Sequence, residues 1–361
     1  MKIATWNVNS LSVRLPQVLA WLATNPVDAL CLQELKLTDD KFPHAALQDA
    51  GYHAVAFGQK TYNGVAILTR TPVRDVVRNI PGFDDEQSRV IAATLDTPEG
   101  PLRLLNGYFV NGQEPGSEKF AYKMRWLQAL HDWIQAEMAA HPRLVLVGDF
   151  NVAPEDRDSY DPEGLRETIH HTTQERDHFK ALLALGLTDA FRMFEQPEKS
   201  FSWWDYRMLG FQKNRGLRID HILVSEARRP QVTACVVDRA PRKNPQPSDH
   251  APVVVTLGAC STRTALPPHH AKKLQSFHSA AASVTAGRGT PGLFRFRRRL
   301  SLGVAVAQRT HFVVVALGAL GLALQQRAHV GRQRSVQGLA VAGHRSVFTT
   351  LALLQNGLVV A

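Results

Sequence analysis

The sequence predicts an α/β protein of stacked β-sheets with helices on their outer faces. Three observations carry this. Short apolar runs of strand length recur from residue 3 to residue 257, a few stretches with helical spacing fall between them, and a hydrophobic content of 44% in 361 residues suffices for a sizeable core. Strands that outnumber helices, with helices intervening, bury their faces when sheets stack on each other and helices cover the outside. The length leaves room for one large domain or two ordinary ones.

In chain order the strand-like runs are Ile3 to Val8, Ala29 to Gln33, Ala54 to Phe57, Val65 to Thr69, Val90 to Leu95, Leu102 to Tyr108, Leu144 to Val147, Ile219 to Val224, Cys235 to Val237 and Pro252 to Leu257. The first of them carries Asn7, with Asn9 just beyond it, where a signal peptide needs an unbroken apolar stretch, so it reads as the first strand of a mature protein. Helical stretches are expected over Arg14 to Thr24, Glu118 to Ala139 and His178 to Leu185. In the second, Phe120, Met124, Leu127, Leu130, Ile134 and Met138 recur at helical spacing as a buried stripe, and Ser117 stands where an N-cap belongs.

Charge divides the chain at about residue 258. The last 103 residues hold thirteen Lys or Arg and no Asp or Glu, so residues 1–258 keep 29 of the 42 basic side chains and all 32 acidic ones. The net charge of +10 is therefore a body near −3 and a tail near +13. A basic total would ordinarily point to nucleic acid; here DNA contact has to rest on local arginines of the body. Residues 1–258 are expected to form the working domain. The 259–361 extension is expected to be a read-through or out-of-frame product giving a disordered appendage, with a basic arm on DNA or an anionic membrane, using Arg295 and Arg297 to Arg299, as the alternative.

Three cysteines, Cys31, Cys235 and Cys260, show no paired spacing, which indicates neither a disulfide framework nor a zinc site and suits a reducing cytoplasm. The longest apolar run, Phe312 to Leu324, has 13 residues against the roughly 20 that span a bilayer, so no membrane span is expected.

The chemistry lies in polar residues at strand ends. Glu34 closes the run Ala29-Leu-Cys-Leu-Gln33, where an unpaired carboxylate is costly and a metal or arginine partner would relieve it; alone, it could simply begin a loop. Asp149 and Asn151 follow Leu144-Val-Leu-Val-Gly148 two residues apart, which would send both to one side of the strand end, although Gly-Asp-Phe-Asn could also be a turn. Asp220 stands at the entrance of a core strand and could be an ion-pair partner of Arg218 or Arg215. Asp249-His250 lies between a Pro-rich loop and the last strand. Asn7 and Asn106-Gly-Tyr108 complete the set. Jointly these positions are harder to dismiss than singly.

Ser202-Trp-Trp-Asp-Tyr-Arg207 and Asn214-Arg-Gly-Leu-Arg-Ile-Asp220, together with Asn7, Glu34, Asp149-Phe-Asn151 and Asp249-His250, make residues 1 to 257 resemble the exonuclease III family of bacterial abasic-site endonucleases, within the endonuclease/exonuclease/phosphatase superfamily. The wider superfamily shares the strand-end positions but not the arginine-tryptophan segment. The resemblance implies a four-layer α/β sandwich, two mixed β-sheets face to face with helices on both outsides. It implies a Mg2+-dependent monomer, with Mn2+ able to substitute, acting on double-stranded DNA at abasic sites and 3′ ends.

Carried over residue by residue, Asn7, Glu34 and Asp249 match metal-site positions, with Asp149 and Asn151 beside them. Asp149 also matches the acid/base residue, Asn151 a transition-state stabiliser and Tyr108 an active-site tyrosine. His250 matches the histidine near the scissile phosphate, its tautomer fixed by Asp220. Trp203 and Leu217 would line a pocket for a flipped-out sugar, with one of Trp203 and Trp204 turned to the core. Arg89, Lys119, Lys123, Asn214 and Arg215 are the candidate phosphate contacts, although Lys119 and Lys123 could equally form a solvated helix face. Leu35, His221 and the tail depart from the family pattern. Two other classes stand beside the nuclease: a superfamily phosphatase on a non-DNA ester, against which the arginine-tryptophan segment argues, and a catalytically silent binding protein, which would lack a ligand where none is lacking.

Overall fold

A strand buried on both faces reads as an unbroken apolar run rather than an alternating one, and most strands of this chain read that way. The computed structural model describes residues 1–258; the acid-free extension, with Cys260, the run Phe312 to Leu324 and the arginines from Arg295, lies outside the described residues. In chain order the strands are β1 (Lys2–Asn7), β2 (Ala29–Gln33), β3 (His53–Phe57), β4 (Val65–Thr69), β5 (Arg74–Arg78), β6 (Val90–Leu95), β7 (Leu102–Tyr108), β8 (Leu144–Asp149), β9 (Leu187–Asp189), β10 (Trp203–Trp204), β11 (Gly216–Leu217), β12 (Asp220–Ser225), β13 (Val232–Val237) and β14 (Val253–Leu257). The α-helices are α1 (Leu11–Thr24), α2 (His44–Asp49), α3 (Glu118–Ala140) and α4 (Thr173–Ala184).

Two six-stranded sheets result, ordered β13-β14-β1-β2-β4-β3 and β5-β6-β7-β8-β12-β9. Each has one parallel pair at its centre, β1 with β2 and β7 with β8, and is otherwise antiparallel. Successive side chains point to opposite faces. Ile3, Cys31 and Ile67 of the first sheet therefore meet Leu104, Val145, Val147 and Ile222 of the second in an inner core. The alternate residues Ala4, Trp6 and Leu30 pack outward on Val18, Trp21 and Leu22 of α1. Leu105, Leu146 and Leu223 pack outward on Trp126, Leu130 and Ile134 of α3 and Phe179 and Leu182 of α4. This is the four-layer order helix, sheet, sheet, helix.

All ten strand-like runs are strands. The edge strand β5, the three-residue β9, the two-residue pair β10 and β11, and α2 lack periodicity long enough to register in sequence. Helix α4 begins five residues before the expected His178, because a capping box between Thr172 and Glu175 starts it ahead of its apolar stripe. In α3 Met124 and Met138 are only half-buried, whereas Lys123, Trp126 and Trp133 join the buried face. No helix among the described residues is long and apolar enough to cross a membrane.

Topology gathers the polar residues at one edge. The carboxyl ends of β1, β2, β7 and β8 and the amino ends of the antiparallel β12 and β14 all face the same way. Asn106, expected near that edge, instead ties the sheets together inside the core, donating from Nδ2 to Leu32 O at 2.9 Å and Ala66 O at 2.8 Å.

Candidate active site

Asp149 ends β8, with Tyr108 beside it on β7 and Asp220 opposite on β12. The preceding Gly148 has φ +146°, and a Cβ there would lie 1.9 Å from Gly107 O, so only glycine lets the two strands approach where they deliver Tyr108 and Asp149. Asn9, Glu34, Lys36 and Asn151 all hold left-handed backbone conformations on the loops beyond the strands, the kind of strain that surrounding contacts must maintain.

A buried relay runs through the centre. Ser202 Oγ donates to Asp220 Oδ2 at 2.6 Å and accepts from the backbone N–H groups of Ile219 and Asp220 at 3.1 and 3.0 Å. His250 Nδ1 lies 2.9 Å from Asp220 Oδ2, and its Nε2 lies 3.6 Å from Asp149 Oδ2. Burial opposes an imidazolium at His250, but the Asp220 and Asp149 carboxylates outweigh it and raise its pKa to about 10. Burial raises Asp149 to about 7, with Asp220 adding to the rise and the His250 charge opposing it. Near neutral pH His250 is therefore charged, while Asp149 lies close to its midpoint. Asp220 serves His250; Arg218 pairs with Asp158 and Asp189 instead.

Asn7 Nδ2 donates to Glu34 Oε1 at 3.1 Å and to Asp149 Oδ2 at 2.9 Å, which draws two carboxylates from different sheets to one amide. Lys36 pairs with Glu34 at 2.9 Å, so the strand-end charge has a lysine partner and not an arginine. Asp249 accepts from Asn9 Nδ2 at 2.9 Å and Trp203 Nε1 at 3.0 Å. Burial works against its charge, yet the nearby His250 and these bonds hold it below the usual carboxylate range. Asp149, Asp220 and His250 offer ligand atoms all within 4.8 Å of one another. The hard oxygen donors of Asn7, Glu34 and Asp149 suit Mg2+ or Mn2+; Asp220 and His250 are already bonded to each other.

Tyr108 is half-buried, and burial with the Glu34 and Asp149 charges keeps its phenol protonated well above the ordinary range. Arg89 braces it, donating to Tyr108 O at 3.2 Å with its guanidinium 5.1 Å from the ring centre. Both border an open cleft of about 560 Å3, whose other walls include Tyr62, Gln113, Tyr122 and the exposed Lys119. Asn151 leaves the strand with φ +50°, so the alternation expected from Asp149 does not extend to it; its N–H nevertheless bonds Asp149 Oδ1 at 3.0 Å.

Trp203 and Leu217 pair across β10 and β11, forming an apolar wall whose half-buried indole lies 6.5 Å from the His250 ring. Trp204 is the core tryptophan of the two. Asn214 is engaged at both ends, accepting from Trp204 Nε1 at 3.1 Å and donating to Lys199 O at 3.1 Å, while Arg215 is exposed. Lys123 requires a correction: it is 0% exposed and ion-paired with Glu175, so it reaches no phosphate. Lys36, Asn111 and Glu175, and the part Ser202 plays, are additions that the structure makes. The Thr172-Thr-Gln-Glu175 capping signature could have revealed Glu175; the others have no local signal.

The family model described as Endonuclease/Exonuclease/phosphatase family matches residues 4–250. The chain is 35% identical to an exodeoxyribonuclease III of Haemophilus influenzae over 262 residues, 70% of this chain and 98% of that protein. Among solved structures, a 3′ phosphatase from Neisseria bound to a product DNA hairpin has 52% identity and a TM-score of 0.69, covering 71% of this chain and 99% of its own. An AP endonuclease from Archaeoglobus fulgidus has 35% identity and a TM-score of 0.67, over 71% and 99%.

Proposed function

This chain belongs to the Endonuclease/Exonuclease/phosphatase family, as a hydrolase of its exonuclease III branch, and on that footing we propose that it is a Mg2+-dependent DNA-repair nuclease that clears the 3′ ends of duplex DNA and cuts 5′ to abasic sites. The observation that carries this reading is the relay of Asp220, His250 and Asp149 set against the Asn7 and Glu34 oxygens at one sheet edge.

Removal of a 3′ phosphate, removal of a 3′ nucleotide and incision 5′ to an abasic site break the same bond, P–O3′, and each leaves a 3′-hydroxyl. One set of groups can serve all three. Asp149, with a pKa near neutrality, accepts a proton from the attacking water. His250, charged at pH 7, donates a hydrogen bond to a phosphoryl oxygen, and Asp220 holds the ring so that Nε2 faces the phosphate. The amide of Asn151 and the phenol of Tyr108 stand as further donors, and the leaving O3′ takes up a proton from solvent as the bond breaks, while Asp149 later returns its proton to solvent. Asn7, Glu34 and Asp149 would hold a divalent cation, which when bound would neutralise phosphoryl charge.

Identity of 52% with the Neisseria 3′ phosphatase, against 35% with the Archaeoglobus AP endonuclease, favours the 3′ end as the principal substrate. The exposed Lys119 and Arg215 are the proposed backbone contacts and Trp203 the proposed wall against the terminal sugar, while the buried Arg89, bonded to Gln87 and Tyr108 O, would act from behind them. The protein is expected to act as a monomer in the cytoplasm. Purified protein, offered matched duplexes with a 3′ phosphate, a recessed 3′-hydroxyl or one synthetic abasic site, should release product in Mg2+ and none in excess chelator. Hydrolysis of a soluble phosphate ester with all three duplexes intact would favour the non-DNA phosphatase.

A further inference from the structure

Residues 151–153 carry Asn151 out of β8, and side chains from other elements take their three carbonyls. Asn151 O accepts from Lys123 Nζ at 2.8 Å and lies 2.7 Å from His170 Nδ1. Val152 O lies 3.0 Å from His221 Nε2, and Ala153 O accepts from Arg176 Nε at 3.0 Å. Lys123 alone of these reaches both active-site loops: it also donates to Asn111 O at 3.1 Å, and Asn111 Nδ2 donates to Asn151 Oδ1 at 3.1 Å.

The third ammonium hydrogen goes to Glu175, so every donor of Lys123 is committed inside the protein. Glu175 is fixed in turn. As the third residue of the α4 capping box it accepts from Thr172 N at 3.1 Å, and it accepts from His170 N at 3.1 Å. Both charged side chains are 0% exposed. An apolar residue would fill the same face of α3 without taking a charge out of water, so a buried pair here is poorly explained by stability. What it does hold is Asn151 in its left-handed backbone conformation, which persists only when neighbours over-determine it.

We propose that Lys123 and Glu175 are positioning residues: the buried pair locks the loops after β7 and β8 together and aims the Asn151 side chain at the scissile phosphate, while Lys123 itself never touches DNA. This rests on the reading of Asn151 as a donor to the phosphate and deepens it.

The test uses the full chain with a 3′-phosphorylated duplex, comparing wild type with Lys123→Met, Lys123→Gln and the double variant Lys123→Met/Glu175→Gln, which leaves no buried charge unpaired. In Lys123→Met and the double variant kcat should fall about 10- to 100-fold with KM nearly unchanged. Lys123→Gln, whose amide still donates, should recover part of the loss. Independently of turnover, amide hydrogen exchange should quicken at residues 150–154 in the variants and stay slow in the sheets. If Lys123→Met does not fold, the double variant decides by the same readouts. A raised KM at unchanged kcat would overturn the proposal in favour of a DNA contact. Unchanged kcat and unchanged exchange would overturn it in favour of plain packing. An inactive wild type would sink the proposed function, and the exchange measurement would still judge the clamp.

Discussion

Asp220 and His221 are neighbours on β12 that face opposite sides of the strand, and each joins a buried charged cluster of opposite character. On one side, His250 lies between Asp220 and Asp149, and the carboxylates lift its pKa to about 10. On the other, burial first and then the adjacent Arg218 guanidinium press His221 down to about 4. His221 is therefore neutral, with Nδ1 3.0 Å from Arg218 Nη1 and Nε2 3.0 Å from Val152 O. Burial is nearly complete at both histidines. The sign of the neighbours, not depth, decides the protonation state. The second cluster is also closed, with Arg218 matched by Asp158 at 2.7 Å and Asp189 at 2.9 Å. It holds a loop, whereas the first presents a charged imidazole and a carboxylate at the sheet edge.

The largest effect expected tests the first cluster. Asp149→Asn removes the proton acceptor and should lower kcat by about 10²- to 10⁴-fold in a protein that still unfolds cooperatively; retention of more than a tenth of the activity would exclude Asp149 as the base. Arg218→Met tests the second. It leaves the buried Asp189 without its cation and Asp158 with Arg192 alone, and should cost about 3–5 kcal/mol in a denaturant titration; a cost under about 1 kcal/mol would mean the network is not structural.

The pH dependence sharpens the contrast. Activity requires ionised Asp149 and charged His250, so kcat/KM should rise as Asp149 ionises, at a pH below about 7 because the cation it binds favours the carboxylate, and decline as pH approaches about 10. For stability the sign is equally determined. The folded pKa of His250 lies above its unfolded value, so its stabilisation is complete below about 6.5 and is lost as pH rises through about 10. Asp220→Asn deletes the leading favourable charge and should bring the alkaline limb to lower pH; an unmoved limb would detach it from His250. The smallest effect belongs to His221→Gln, which forfeits a neutral hydrogen bond worth about 1 kcal/mol. Both limbs should stay in place, because His221 carries no charge above about 4, and a displaced limb would show that the two clusters communicate.

Much of this was legible beforehand. Burial on both faces writes strands as apolar runs, and the order of those runs with intervening helices predicts stacked sheets. A polar residue at the end of such a run is costly unless it has work or a partner, which is why Asn7, Glu34, Asp149, Asp220 and His250 carry weight jointly although each alone has a bland reading. Lys123 was misjudged although it falls three residues after Phe120 and four before Leu127, a spacing that places it on the buried face. The sequence reads it as a phosphate contact or part of a solvated face because its partner, Glu175, is 52 residues away.

The chain by itself determined which segments form strands and which polar groups stand at their ends, because burial period and turn chemistry are local. Only the tertiary structure decided who answers whom. Asp220 takes His250, 30 residues on, and not Arg218 two residues before it; Asn7 bridges to Asp149 across 142 residues. Electrostatic coupling falls off over a few ångströms in space, and sequence separation does not measure that distance.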